Sequence, residues 1–138
     1  MKGNVILVPV AGITNVVERS IRYAQSLSPA QIIAVHIPFE REDEALFEEK
    51  WKAWRPDVRL VTLHSPYRSI IQPLMKFIDV VERKARESND QVTVIIPQFI
   101  PKKGWHNLLH NQTSFMIRAH LLFRKDVIVT TVPYHLKK

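Results

Sequence analysis

The chain has 138 residues, no cysteine and a formal net charge of +7. That length makes one domain, residues 1–138, able to bury a core without staples. The missing cysteines exclude a disulfide framework, a thiolate metal site and a thiol nucleophile. The longest apolar runs fall far short of a membrane span, and residues 1–4 are too short and polar for a signal peptide, so a cytosolic or cytosol-facing location is expected.

The chain opens on Val5-Ile6-Leu7-Val8-Pro9-Val10, a continuous apolar run of the kind found in strands buried on both faces. Ala11, Gly12, Ile13 and Thr14 turn the chain into a helix capped by Thr14 or Asn15. With Asn15 as the cap, Glu18 takes the capping-box position. Val17, Ile21, Ala24 and Ser28 share one helical face, with Leu27 beside them, and Pro29 ends the helix. A second apolar strand covers 32–38. An acidic helix over 43–54 follows, with Leu46, Phe47, Lys50, Trp51 and Trp54 on its buried side. Residues 58–64 alternate and read as a third strand. Ser69 and Gln72 form a capping box for the next helix, which carries Pro73 in its first turn and Ile71, Leu74, Ile78, Val81 and Ala85 at helical spacing. A fourth strand over 91–97 leads through Pro97, Pro101, Lys102, Lys103 and Gly104 toward a further helix marked by Leu108, Phe115, Ala119 and Leu122. A fifth strand covers 126–134.

This alternation predicts an α/β fold, a five-stranded parallel sheet with helices on both faces. Ligands of such sheets sit at the carboxyl ends of the strands, which here means residues 9–15, 35–39, 63–69 and 97–114. The last of these lies in the basic part of the chain. From Gln91 onward Asp126 is the only acid, against Lys102, Lys103, Arg118, Arg124, Lys125, Lys137 and Lys138. A positive field there favours phosphate, nucleic acid or an anionic membrane surface, or simply keeps the domain soluble.

The side chains that could meet an anion are few. Thr14 and Asn15 open the first helix where many nucleotide folds contact phosphate, although Gly12-Ile13-Thr14 spells neither a Walker loop nor a dinucleotide fingerprint. His110, Asn111, Gln112 and Thr113 either supply donors at a helix start or cap it in the ordinary way. Lys102 and Lys103 could meet phosphates or stay solvated, Arg68 could reach the same crevice or form a surface salt bridge, and Trp105 could stack on a base or pack beneath the loop. His106 and His110 stand one turn apart, but Asn107 occupies the place of the zincin glutamate and no third ligand follows, so no metal is expected. His36 and His64 lie at strand ends, where a structural role is the commoner one. No nucleophile elbow exists and carboxylates are missing from the four crevice segments, so binding without catalysis is expected. The basic residues are not interleaved with aromatics along one element, which argues against nucleic acid.

The order of elements, with 5–14, Ala34-Val35-His36-Ile37-Pro38 and Val127-Ile128-Val129, resembles the universal stress protein fold. Nucleotide-binding members of that family carry the pattern G-x2-G-x9-G-[S/T] after strand four. Laid on this chain with Gly104 and Leu108-Leu109 in register, its glycines fall on Gln98, Pro101 and Asn111 and its Ser/Thr position on Gln112. A slip of two residues would put the last pair on Thr113 and Ser114. The acid that usually closes strand one is here Ala11. Bulkier residues in those places keep the backbone away from a triphosphate.

A narrower resemblance covers nearly the whole chain. Trp105 through Thr113 and Val127 through Leu136, above all His110-Asn111-Gln112-Thr113 and Val132-Pro133-Tyr134-His135-Leu136, look like the C-terminal cytosolic domain of potassium-importing transporters of the amino-acid-permease superfamily. That resemblance implies a non-catalytic regulatory domain at the cytoplasmic face of the cell membrane. The transmembrane permease part would precede it on the same polypeptide. It implies cyclic di-AMP as ligand and a homodimer through the fifth strand, with Val127, Val129 and Thr131 at the interface. Adenine would lie near Pro9, Ala11, Val35 and His36. The phosphates would meet Thr14, Asn15, His110, Asn111, Gln112, Thr113 and Ser114, with Arg68 or Lys102 as counter-charge. The alternatives are a stand-alone universal stress protein binding ATP or AMP and a ligand-free dimerisation module.

Overall fold

The computed structural model describes residues 3–10, 15–36, 44–63, 71–100 and 127–135. Their order is β1 (Asn4–Val10), α1 (Asn15–Ser26), β2 (Gln31–His36), α2 (Glu44–Trp54), β3 (Arg59–Thr62), α3 (Ile71–Glu87), β4 (Gln91–Ile100) and β5 (Val127–His135). All neighbouring strands pair in parallel, in the spatial order β3-β2-β1-β4-β5. The chain therefore builds outward from β1 to β3, then returns past β1 to place β4 and β5 on its other side.

Strand side chains alternate between faces, and each face has its own core. Val5 and Leu7 of β1, Ile33 and Val35 of β2, and Val92, Val94 and Ile96 of β4 pack with Leu74, Met75, Ile78 and Ala85 of α3. The opposite parity, Ile6, Val8, Val10, Ala34, Ile95 and Val132, packs with Val16, Val17, Ile21 and Ala24 of α1 and with Phe47 and Trp51 of α2. Helices thus cover both faces, as the apolar runs predict. Burial on this scale contributes about 1.5–3 kcal/mol for each large aliphatic side chain, and Ile6, Leu7, Val8, Ile21, Leu74, Ile78 and Ile95 are all fully buried.

The helix ends explain where the chain turns. Beyond α3, Asn89 adopts φ 60°. The Asp90 N–H donates to the Ala85 carbonyl at 2.7 Å and the Asn89 N–H to that of Arg86 at 3.2 Å. That pair of bonds is a Schellman cap, with Asn89 in the left-handed position. Ser28 takes the same conformation after α1, at φ 49°, and its N–H donates to the Gln25 carbonyl at 3.1 Å. The next residue is Pro29, so the longer bond of that cap has no donor.

Four expectations need correction. Ser28 is not on the buried face of α1 but beyond its end, because the left-handed turn comes first. Leu27, Leu46 and Lys50 are exposed rather than packed. Asn15 is the first residue of α1, and Glu18 pairs with Arg22 at 2.8 Å instead of serving a cap at Asn15. The fourth strand does not stop at Pro97 but runs to Ile100, paired with β5 from Val92 to its end. The capping pair at Ser69 and the helix expected after Gly104 lie outside the described residues.

Candidate functional site

In an open parallel sheet, two neighbouring strands whose connections leave in opposite directions bound a crevice at their carboxyl ends. Here those strands are β1 and β4. Their ladder runs only from Asn4↔Gln91 to Leu7↔Val94, although β1 continues to Val10 and β4 to Ile100. Beyond Leu7 and Val94 each strand keeps its outer partner: β1 stays paired with β2 as far as Val10↔His36, and β4 with β5 as far as Ile100↔His135.

Two prolines mark this parting. Pro9 stands two residues beyond the last β1 rung and Pro97 three beyond the last on β4. Each removes an N–H that a central ladder would use, and proline is tolerated in a strand where one flank is unpaired. This fits Pro97 not ending β4: past Val94 no described strand pairs with β4 on its β1 side. The switch-point crevice is therefore written into the sequence by Pro9 and Pro97.

On the β2 side the crevice wall is firm. The His36 carbonyl accepts the Leu63 N–H at 2.8 Å, carrying the β2–β3 pairing past Thr62. The His36 ring is fully buried and lies stacked on Phe47 of α2, with centroids 3.9 Å apart and planes 20° from parallel. Phe47 continues to Trp51 at 6.1 Å, and Trp51 meets Trp54 edge-on at 5.2 Å. This aromatic row ties α2 to the end of β2. Phe47 reads in the sequence only as core, and the row with Trp51 and Trp54 at helical spacing is the signal that it reaches β2.

Of the expected ligand residues, the structure brings Pro9, Val35 and His36 together at adjoining strand ends, with Pro9 opposite Val35 and Val10 opposite His36. Val35 is 1% exposed and packs toward α3, so the atoms it could offer a ligand are those of its backbone. Asn15, at the start of α1, is exposed. Ala11, Thr14, Arg68, Lys102, His110, Asn111, Gln112, Thr113 and Ser114 lie outside the described residues. So do His106, Lys103 and Trp105. Among the described residues no group of three or more His, Asp or Glu comes together as a metal site would require.

β5 is the outer strand beside β4. Val127 and Val129 are half-buried against the core on the α3 face, Thr131 is half-buried, and Ile128, of opposite parity, is exposed. No helix among the described residues is long and apolar enough to cross a membrane.

The family model described as the KimA potassium transporter C-terminal domain matches residues 2–134. The chain belongs to that family. The potassium transporter KimA of Bacillus subtilis (strain 168) is 54% identical to it over all 138 residues. The match takes in the whole of this chain and 23% of the transporter, so the KimA-family domain spans about a quarter of that relative's length. The five-stranded parallel sheet with its split between β1 and β4 is thus the architecture of a KimA C-terminal domain.

Proposed function

We propose that this domain regulates a potassium-importing permease by binding cyclic di-AMP in the crevice between β1 and β4 and by pairing with a second copy along β5. The permease part would belong to the same polypeptide, and the domain would hang at the cytoplasmic face of the membrane, without catalysis of its own. The observation that carries the ligand reading is the parting of β1 from β4 after Leu7↔Val94, in a domain whose relative is named a potassium transporter. Pro9, Val35 and His36 would border the adenine. Asn15 at the start of α1, with Thr14, Arg68, Lys102 and the residues His110 to Ser114, would meet the phosphates.

A cyclic dinucleotide carries only two phosphate charges, so it does not require the glycine-lined backbone approach that a triphosphate needs. Side-chain donors suffice for it. Regulation follows if the ligand binds one transport state more tightly than the other, because only differential affinity moves such an equilibrium. The β5 pairing is supported by the edge itself: nine residues without a charged Lys, Arg, Asp or Glu, with Ile128 exposed, form an edge that needs cover.

Equilibrium dialysis of the domain against cyclic di-AMP and against ATP tests the ligand reading. Saturable cyclic di-AMP binding with weak or no ATP binding is expected. Tight ATP binding without cyclic di-AMP would make it a nucleotide-binding stress-type domain instead. Binding of neither would leave a dimerisation module.

A further inference from the structure

The end of the sheet opposite the crevice is where the polypeptide enters. The Gly3 N–H donates to Asp90 Oδ1 at 2.9 Å, and the Gly3 carbonyl accepts the Gln91 N–H at 2.8 Å. The Asn4 carbonyl accepts the Ala30 N–H at 2.9 Å, while its side-chain Oδ1 accepts the Thr93 hydroxyl at 3.0 Å. A Cβ at Gly3 would stand 2.8 Å from Asp90 Oδ1 and 3.1 Å from the Ala30 Cβ. Gly3 and Asn4 are therefore held between the starts of β4 and β2, with little room for a side chain at position 3.

Ala30 is also part of the wall of a surface groove of about 520 Å³, lined with Gln25, Ser28, Gln31, Asp57 and Arg59 among others. All six side chains are exposed. The volume lies in the range of ligand sites, but the lining is mostly amide, hydroxyl and charge rather than the apolar wall of a small-molecule pocket. Gln25 Nε2 donates to Asp57 Oδ2 at 2.8 Å, which fixes the end of α1 to the approach of β3. Such a surface suits peptide backbone and polar side chains.

We propose that this groove seats the stretch of the same polypeptide that immediately precedes residue 1 in the full-length transporter. Position and chain length support this. The relative is more than four times as long as this domain, the matching family is a C-terminal domain, and Gly3 lies close beside Ala30 in the groove wall. Arg59 offers a forked donor to carbonyls or carboxylates of the arriving segment. β1 then runs straight from that seat to the crevice at Pro9 and Val10, a single strand between the attachment and the ligand end. The inference rests on the attachment of this domain to a preceding transporter part, and not on cyclic di-AMP.

The test uses the full-length protein. The photoreactive residue p-benzoylphenylalanine replaces Arg59 in one sample, Gln25 in a second and Val80, exposed on α3, in a control. Each sample mixes isotopically heavy and light copies, and cross-linked peptides are read by mass spectrometry. The expected result is a cross-link within one copy from positions 59 and 25 to the stretch just ahead of residue 1, with none from position 80. A cross-link joining heavy to light copies, one to lipid, or a yield at 59 and 25 no greater than at 80 overturns the proposal. Those outcomes leave cyclic di-AMP binding untouched, and a failed nucleotide titration leaves the cross-link result standing.

Discussion

Trp51 is the largest fully buried side chain on the α1–α2 face of the sheet. It is 1% exposed, its Nε1–H donates to the Val58 carbonyl at 3.1 Å, and it packs between Phe47 and Trp54. Trp51→Ala removes the indole from a closed site, a change that costs about 3–5 kcal/mol. Trp51→Phe keeps most of the apolar contact but strands the carbonyl of Val58, a residue only 3% exposed, which costs about 1–3 kcal/mol. For a domain of this size each kcal/mol lowers Tm by about 3–4 °C. The phenylalanine variant should therefore melt about 7 °C lower and the alanine variant about 14 °C lower. Urea titration followed by circular dichroism supplies the free energies, with the slope against denaturant checked for constancy. A Trp51→Ala cost below about 0.5 kcal/mol, within the ordinary range for exposed positions, would refute this account of the α2 face. Equal costs for the two variants would refute the division between hydrogen bond and volume.

Ser28→Gly should stabilise the domain by about 0.5–1 kcal/mol in the same titration, since a left-handed residue with a Cβ pays a steric penalty that glycine avoids. Gly3→Ala should destabilise it by about 1–2 kcal/mol, and Asp90→Ala in the same chain should recover part of that loss, because the new methyl group collides with Asp90 Oδ1. Ile128→Lys should leave the monomer's stability within about 0.5 kcal/mol, as for other exposed positions, while light scattering should report a monomer where the unsubstituted domain gives the proposed dimer. A dimer that survives the lysine would move the interface away from β5.

Much of the fold is legible in the residues. The apolar runs of β1, β2 and β4 announce strands covered on both faces, and the spacing of Leu74, Ile78 and Ala85 announces the helix that covers one of them. The errors come from contacts that spacing does not carry. Leu46 follows the helical pattern yet is exposed, because α2 turns Phe47 and Trp51 rather than Leu46 toward the sheet. Pro97 reads as a strand terminator, but the reading depends on both flanks being paired, and after Val94 one has no partner among the described residues. The crevice was legible as a place, from strand ends and topology. Its chemistry was less so: the burial of His36 and its stack on Phe47 depend on the angle at which α2 crosses β2, which no single segment encodes.

The proposed binding of cyclic di-AMP in the crevice is open to direct measurement. Cyclic di-AMP titrated into the isotope-labelled domain should shift the backbone amides of Val8, Val10, Val35, His36 and Ile96, all at or beside the point where β1 leaves β4. The amides of Gly3, Gln31 and Arg59, at the other end of the same strands, should stay in place. Shifts gathered at Gly3, Gln31 and Arg59, or a spectrum unchanged at saturating cyclic di-AMP, would contradict the crevice as its binding site.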